Sequence, residues 1–229
     1  MDDLLSEKEQ IEKMRGWWAE NGRYVIGGII IGTGLLFGWN QYQNSKLNAQ
    51  MDASRLFETL AGHIAAGELD DAQAIADGLA SNFANTSYAA QSKLAMARLY
   101  MDKNRDQDAA DVLTELLELR GNDELKYVGR LRLAKIRLYQ DKAEDVIGIL
   151  SGQDSAAFAA LYAEARGDAY AALGRYEEAG NAYRQALEDP ASAATIDRAL
   201  VQMKLLDLPE TTAVEVEAGS DEAGSGDSE

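Results

Sequence analysis

Residues 167–187 read G-D-A-Y-A-A-L-G-R-Y-E-E-A-G-N-A-Y-R-Q-A-L. Small residues at Gly167, Ala179 and Ala186 alternate with large ones at Tyr170, Tyr176 and Tyr183, at spacings that put a gap on one helix opposite a filler on the next. Gly174 falls between the two runs, where a helix must end and the chain turn back. Weaker copies lie upstream. Gly67-Glu68-Leu69-Asp70-Asp71-Ala72 mirrors Gly174-Arg175-Tyr176-Glu177-Glu178-Ala179 at an offset of 107 residues, about three repeats of roughly 34–37 residues. The stretch L-A-M-A-R-L-Y-M-D-K from Leu94 to Lys103 resembles L-A-K-I-R-L-Y-Q-D-K from Leu133 to Lys142, 39 residues on. The pattern predicts four helical hairpins near 50–83, 87–120, 124–151 and 156–189, and a closing helix near 192–207.

The spacing is that of a tetratricopeptide unit, except that the proline expected at its close comes one residue early, at Pro190. The expected fold class is all-α: a single N-terminal transmembrane helix followed by a tetratricopeptide-like helical-hairpin solenoid. One hairpin cannot bury its own apolar side, but a stack of three or more makes a continuous core and a concave groove suited to segments of other proteins. The first helix of each hairpin should face that groove, which makes Lys93 and Met96 in the second hairpin and Arg130 in the third candidate partner contacts. Tyr170, Tyr176 and Tyr183 should instead fill space between helices.

Catalysis finds little to work with. Asp70-Asp71 and Glu177-Glu178 resemble paired catalytic carboxylates, yet they fall in the first turn of a predicted second helix, where negative charge complements the helix dipole. His63 is the single histidine and cysteine is absent, so the groups most used for acid–base work, thiolate attack and zinc binding are scarce. His63 is expected to be a packing or surface residue. The chain is therefore expected to be no enzyme, with no cofactor, no metal and no small-molecule substrate. Acidic residues outnumber basic ones 39 to 22, a charge that repels phosphate backbones, so no nucleic-acid partner is expected. Lack of cysteine also permits an oxidising compartment. Asn85-Thr86-Ser87 fits a glycosylation acceptor, but so short a triplet carries no weight.

No charged side chain occurs from Tyr24 to Ser45. As a helix, residues 24–42 would rise by about 28 Å, close to the thickness of a hydrocarbon core. Tyr24, Trp39 and Tyr42 at its ends, with Trp17 and Trp18 before it, suit the headgroup region. The polar run Asn40-Gln41-Tyr42-Gln43-Asn44 offers no small-x-small cleavage site, so an uncleaved anchor is expected. Lys13, Arg15 and Arg23 before the span outnumber Lys46 and Arg55 after it and favour a cytoplasmic N-terminus. Gly28 with Gly32 and Gly34 with Gly38 form two small-xxx-small pairs that could let a neighbouring helix approach. Leu4, Ile11, Met14 and Trp18 mark an amphipathic helix at the cytoplasmic surface. The expected layout is 1–23 a cytoplasmic amphipathic segment, 24–42 the transmembrane helix, 43–208 the repeat domain, and 209–229 a disordered tail with seven acids and no basic residue.

Together these pieces resemble the YfgM-type ancillary subunit of the bacterial Sec translocon. The resemblance is carried by Glu9-Gln10 leading to Trp17-Trp18, by Ala19-Glu20-Asn21-Gly22 directly before the glycine-rich span that ends in Gly38-Trp39, and by Leu131-Arg132-Leu133-Ala134, Arg166-Gly167-Asp168-Ala169 and Gln202-Met203-Lys204-Leu205. It covers residues 1–208. It implies a single-pass bacterial inner-membrane protein with its N-terminus cytoplasmic and its repeat domain periplasmic, associated with the SecYEG translocon and with a PpiD-like membrane-anchored periplasmic chaperone, and aiding hand-over of exported proteins. The acidic tail departs from the usual ending of that family. A rival from another class is a transmembrane signalling regulator that holds a cytosolic response protein through its N-terminal segment.

Overall fold

A computed structural model describes residues 7–152, 155–190 and 192–209; the tail expected to be disordered, from residue 210 on, lies outside them. Every regular element among the described residues is helical. The chain divides into two compact units, residues 1–92 and 93–229. In order come α1 (Glu7–Ala66), α2 (Leu69–Asn82), α3 (Ser87–Asp102), α4 (Asp106–Glu118), α5 (Asp123–Tyr139), α6 (Ala143–Leu150), α7 (Ala159–Ala172), α8 (Tyr176–Glu188), α9 (Ser192–Thr195) and α10 (Arg198–Leu206). Pairing α1 to α8 in order gives the four hairpins read from the sequence.

All four hairpin turns use one device. Gly67, Asn104, Asp141 and Gly174 have φ between 58° and 72°, the left-handed conformation that ends a helix most cheaply at glycine and next at asparagine or aspartate. The N–H of the following residue reaches back five residues, from Glu68 to the His63 carbonyl (2.9 Å), Arg105 to Tyr100 (2.8 Å), Lys142 to Arg137 (2.9 Å) and Arg175 to Tyr170 (2.8 Å). That closes a Schellman motif and satisfies a carbonyl the helix end leaves open. The same residue then begins the next helix, whose first turn is acidic in every case: Asp70 and Asp71, Asp106 and Asp108, Glu144 and Asp145, Glu177 and Glu178. The turn residues are 37, 37 and 33 positions apart. The likeness of Leu94–Lys103 to Leu133–Lys142 at 39 is thus two residues out of the structural register.

In the first unit α1 packs on α2 through Ala53, Leu60, Ala72 and Leu79, all fully buried. In the second, α5, α6 and α7 share a core of Ala134, Val146, Leu150 and Tyr162, flanked by Tyr127 and Phe158. Tyr162 donates from its hydroxyl to the Tyr127 carbonyl at 2.9 Å, so the buried phenol keeps its polar tip satisfied. A second core joins α7, α8 and α10 through Ala163, Ala179, Tyr183, Ala186 and Val201. Gly167 is buried on α7 because a Cβ there would run into the Tyr183 ring, the close approach expected of that pair. Tyr176 is different: it stays 37% exposed and does little filling.

The expected closing helix at 192–207 is two pieces. Asp197 caps α10 with its carboxylate, accepting from the Ala199 and Leu200 N–H groups at 3.1 Å, and an N-cap residue takes extended rather than helical backbone. Its φ and ψ of −79° and 94° break the helix there. Arg198 then turns back to the Leu187 carbonyl (2.6 Å) and the Ser192 hydroxyl, which ties the break to the end of α8.

Helix α1 runs unbroken for 60 residues, a rise of about 90 Å. It joins the head, the apolar stretch and the first helix of the first hairpin, which the sequence reading divides among three segments. Ile29, Ile30, Leu35, Leu36 and Phe37 are between 61% and 73% exposed. A soluble core helix would cover such side chains; here only 6% of the apolar window is buried. The helix is long and apolar enough to cross a membrane, and hydrocarbon is the solvent such a surface requires. The head continues the same helix, so Ile11, Met14 and Trp18 lie on α1 itself and not on a separate helix.

Candidate docking site

Counting back from each left-handed turn residue aligns the hairpins. The sixth residue before it is Arg98 on α3, Lys135 on α5 and Asp168 on α7, and the ninth is Ala95, Arg132 and Ala165. Positions nine, six and two before the turn follow helical spacing and keep one face open on α5, where Arg132, Lys135 and Tyr139 are exposed. Between α3, α4 and α5 this face opens into a pocket of ≈280 Å³. Ala97 and Met101 of α3, Leu113 of α4 and Ile136 of α5 make an apolar floor, and Arg98, Arg132 and Lys135 stand around it. None of its lining residues is acidic, in a chain of net charge −17.

The cations are only partly engaged. Arg132 donates through Nη1 to the Leu94 carbonyl at 3.1 Å, which fixes its guanidinium and leaves further N–H groups of the fork. Arg98 lies 3.9 Å from Asp102, both well exposed, a pair worth little in water. Lys135 has no ion pair among the described residues. An apolar floor under a cationic rim can take a short extended segment that carries both apolar and acidic side chains.

The groove candidates read from the sequence fall beside this pocket, not in it. Met96 is 2% exposed and Lys93 9%. Lys93 reaches the Glu115 carboxylate of α4 at 2.6 Å. Arg130, eleven residues before its turn as Lys93 is before its own, is half-buried and close enough to Tyr162 to act on its phenol electrostatically. The expectation that Lys93 and Met96 could be changed with little loss of packing therefore fails: α3 is buried nearly all round, and its open face is one turn further on, at Arg98.

In α1, a Cβ at Gly28, Gly32, Gly34 or Gly38 would meet nothing within 4 Å, so both glycine pairs lie on open surface. At 100° per residue the two pairs face directions about 120° apart. Trp17, Trp18, Tyr24, Trp39 and Tyr42 are each more than half exposed, and Trp17 with Trp18 and Trp39 with Tyr42 form ring pairs with centroids 6.3 Å apart.

At the first hairpin turn His63 Nδ1 lies 2.8 Å from Glu68 Oε2, and Asp71 brings a third ligand-type atom within 4.8 Å of both. At the other end Lys204 of α10 meets Glu164 at 2.9 Å and Asp168 at 2.8 Å, while the Tyr183 hydroxyl donates to Asp168 at 2.8 Å. Burial works against the Lys204 charge, but hydrogen bonds to Asp168 and Glu164 outweigh it and hold its pKa above the ordinary lysine value. Burial, then the bond to Asp168, also pushes the Tyr183 phenol well up. Asp168, which occupies the position of Arg98 and Lys135, is thus already neutralised within the fold. Sequence reasoning missed the α3–α5 pocket and the Lys204 cluster, because each joins residues about 34 to 40 positions apart.

Four hairpins, each closed by a left-handed turn, with Gly167 of the last making room for Tyr183, define a helical-repeat protein. The model of the tetratricopeptide repeat-like domain family matches residues 15–210, and the chain belongs to that family. Among curated proteins it is 28% identical over 208 residues, 91% of this chain and 99% of the relative, to the ancillary SecYEG translocon subunit of Escherichia coli strain K12. It is 26% identical over 204 residues (89% and 98%) to the protein of the same name in Haemophilus influenzae, and 25% over 202 residues (88% and 96%) to that in Neisseria gonorrhoeae. These relatives bear out the resemblance read in the head, the span and the repeats.

Proposed function

We propose that this chain is a non-catalytic, membrane-anchored adaptor of the Sec translocon: its apolar α1 packs beside translocon helices, and its repeats, on the periplasmic side, dock a PpiD-like chaperone and aid hand-over of exported proteins. The observation that carries the reading is the match to ancillary SecYEG translocon subunits over nearly their whole length. The open glycine pairs of α1 and the cationic-rimmed pocket on α3–α5 support it as places where a helix and a peptide segment fit. A partner anchored in the same membrane meets the repeats at raised effective concentration, so a weak pocket suffices.

Photoreactive residues at Leu35 and Lys135, in native membranes, test it. Leu35 should crosslink to a translocon subunit and Lys135 to a periplasmic chaperone; if neither does, the adaptor reading fails. A second reading, the signalling regulator, is favoured by one observation: Ile11, Met14, Arg15 and Trp18 form one exposed stripe on the head of α1. It requires that a chain lacking residues 1–20 lose a cytosolic partner while keeping the translocon.

A further inference from the structure

The family match ends at residue 210, and the residues after Pro209 lie outside the described ones. We propose that the pocket between α3, α4 and α5 binds acidic extended segments, and that its resident occupant is the chain's own C-terminal stretch, residues 210–229. This rests on reading that pocket as the docking site. Charge complementarity comes first: the stretch carries seven carboxylates and no basic side chain, and Arg98, Arg132 and Lys135 surround a floor that includes Met101, Leu113 and Ile136, with no acid in the lining.

Pattern comes second. Val214-Glu215-Val216-Glu217 alternates, and in an extended segment successive side chains point to opposite sides, so both valines can meet the floor while the glutamates remain near the rim cations. Reach comes third. Val214 and Val216 lie five and seven residues beyond Pro209, a reach of about 18 and 25 Å when extended, on the order of the size of a compact unit of about 110 residues, whose radius of gyration is about 13 Å. A tether of this kind supplies an effective concentration in the millimolar range, so an affinity too weak to hold a free peptide still fills the pocket. The elsewhere equivalent position, Asp168, is closed to such a segment because its own charge is acidic and Lys204 already holds it. The tail then acts as an intramolecular competitor, which only a partner with more contacts displaces.

The test uses a fluorescein-labelled peptide of residues 210–229, the full chain, and a chain ending at Pro209, both in detergent micelles. The shortened chain should bind the peptide about tenfold more tightly than the full chain, because its pocket is free. Arg132→Glu with Lys135→Glu in the shortened chain should weaken binding more than tenfold, as should Val214→Ser with Val216→Ser in the peptide. Lys135→Glu alone, at an exposed position without an ion pair, guards against a folding defect and should weaken binding severalfold. Equal binding to full and shortened chains, or binding indifferent to Lys135→Glu, overturns the proposal. Chaperone crosslinking from the shortened chain separates the two readings. A Lys135→Glu chain that loses the peptide but keeps the chaperone upholds the tail and removes the pocket as the partner's site; the reverse outcome removes the tail alone.

Discussion

Tyr183 and Gly167 carry the tightest approach between α7 and α8, and one methyl group measures it. Gly167→Ala places a carbon against the Tyr183 ring with helix backbone behind it, so it should lower stability by about 1–3 kcal/mol, seen as a drop in the thermal midpoint of the repeat domain. Tyr162 offers a test with a sign. Burial pushes its pKa from 10.0 to about 12; folding therefore favours the protonated phenol. That contribution is complete below pH 10 and is lost as pH rises from 10 to about 12. Tyr162→Phe should cost about 1 kcal/mol near pH 7 through the lost bond to the Tyr127 carbonyl, yet flatten the decline in stability between pH 10 and 12. An unchanged alkaline limb in urea titrations would refute the assignment. Gly174 and Gly67 were legible as turns because glycine announces itself. Asn104 and Asp141, which adopt the same left-handed backbone, were not, since both also serve as caps and surface residues.

Helix α1 is the element with most at stake. Leucine at Gly28 and Gly32 keeps the span apolar and meets no other part of the chain. Any loss of membrane partners on Gly28→Leu with Gly32→Leu must then come from a helix outside it, and co-purification should fall severalfold; full recovery would leave those glycines without a packing role. Continuity gives a second prediction. Two alanines inserted between Ser45 and Lys46 turn everything beyond by about 200°, and four by about 400°, which is 40° from the start. If span and first hairpin are read together by one partner, crosslinks should fall with two alanines and largely return with four. The hairpins were the legible part of the fold: periodicity and internal likeness set α2 to α8 nearly where they lie. The closing helix was not, because its break depends on Asp197 finding the Ala199 and Leu200 N–H groups, which no periodicity announces.

Across the whole molecule, stability should be regional. In repeat proteins each hairpin is held by its neighbours, and the chain divides at residue 92. Val201→Ala, at a fully buried site of α10, should cost about 1–3 kcal/mol and speed amide exchange in α7 and α8 while leaving α1 and α2 unchanged; equal acceleration in both units would show one cooperative body. The docking pocket was the least legible feature, since its cations come from two helices 37 residues out of step and the sequence likeness pointed to 39. Lys93 and Met96, read as groove-facing on the first helix of their hairpin, are interior. The unbroken α1 has one more consequence. A flexible tether would let the first hairpin sample a wide range of heights above the bilayer; on the reading that residues 24–42 span it, about 36 Å of helix beyond residue 42 acts as a mast, setting one altitude and one azimuth relative to the span. Mutual search between anchored neighbours is then reduced from three dimensions to rotation and lateral drift.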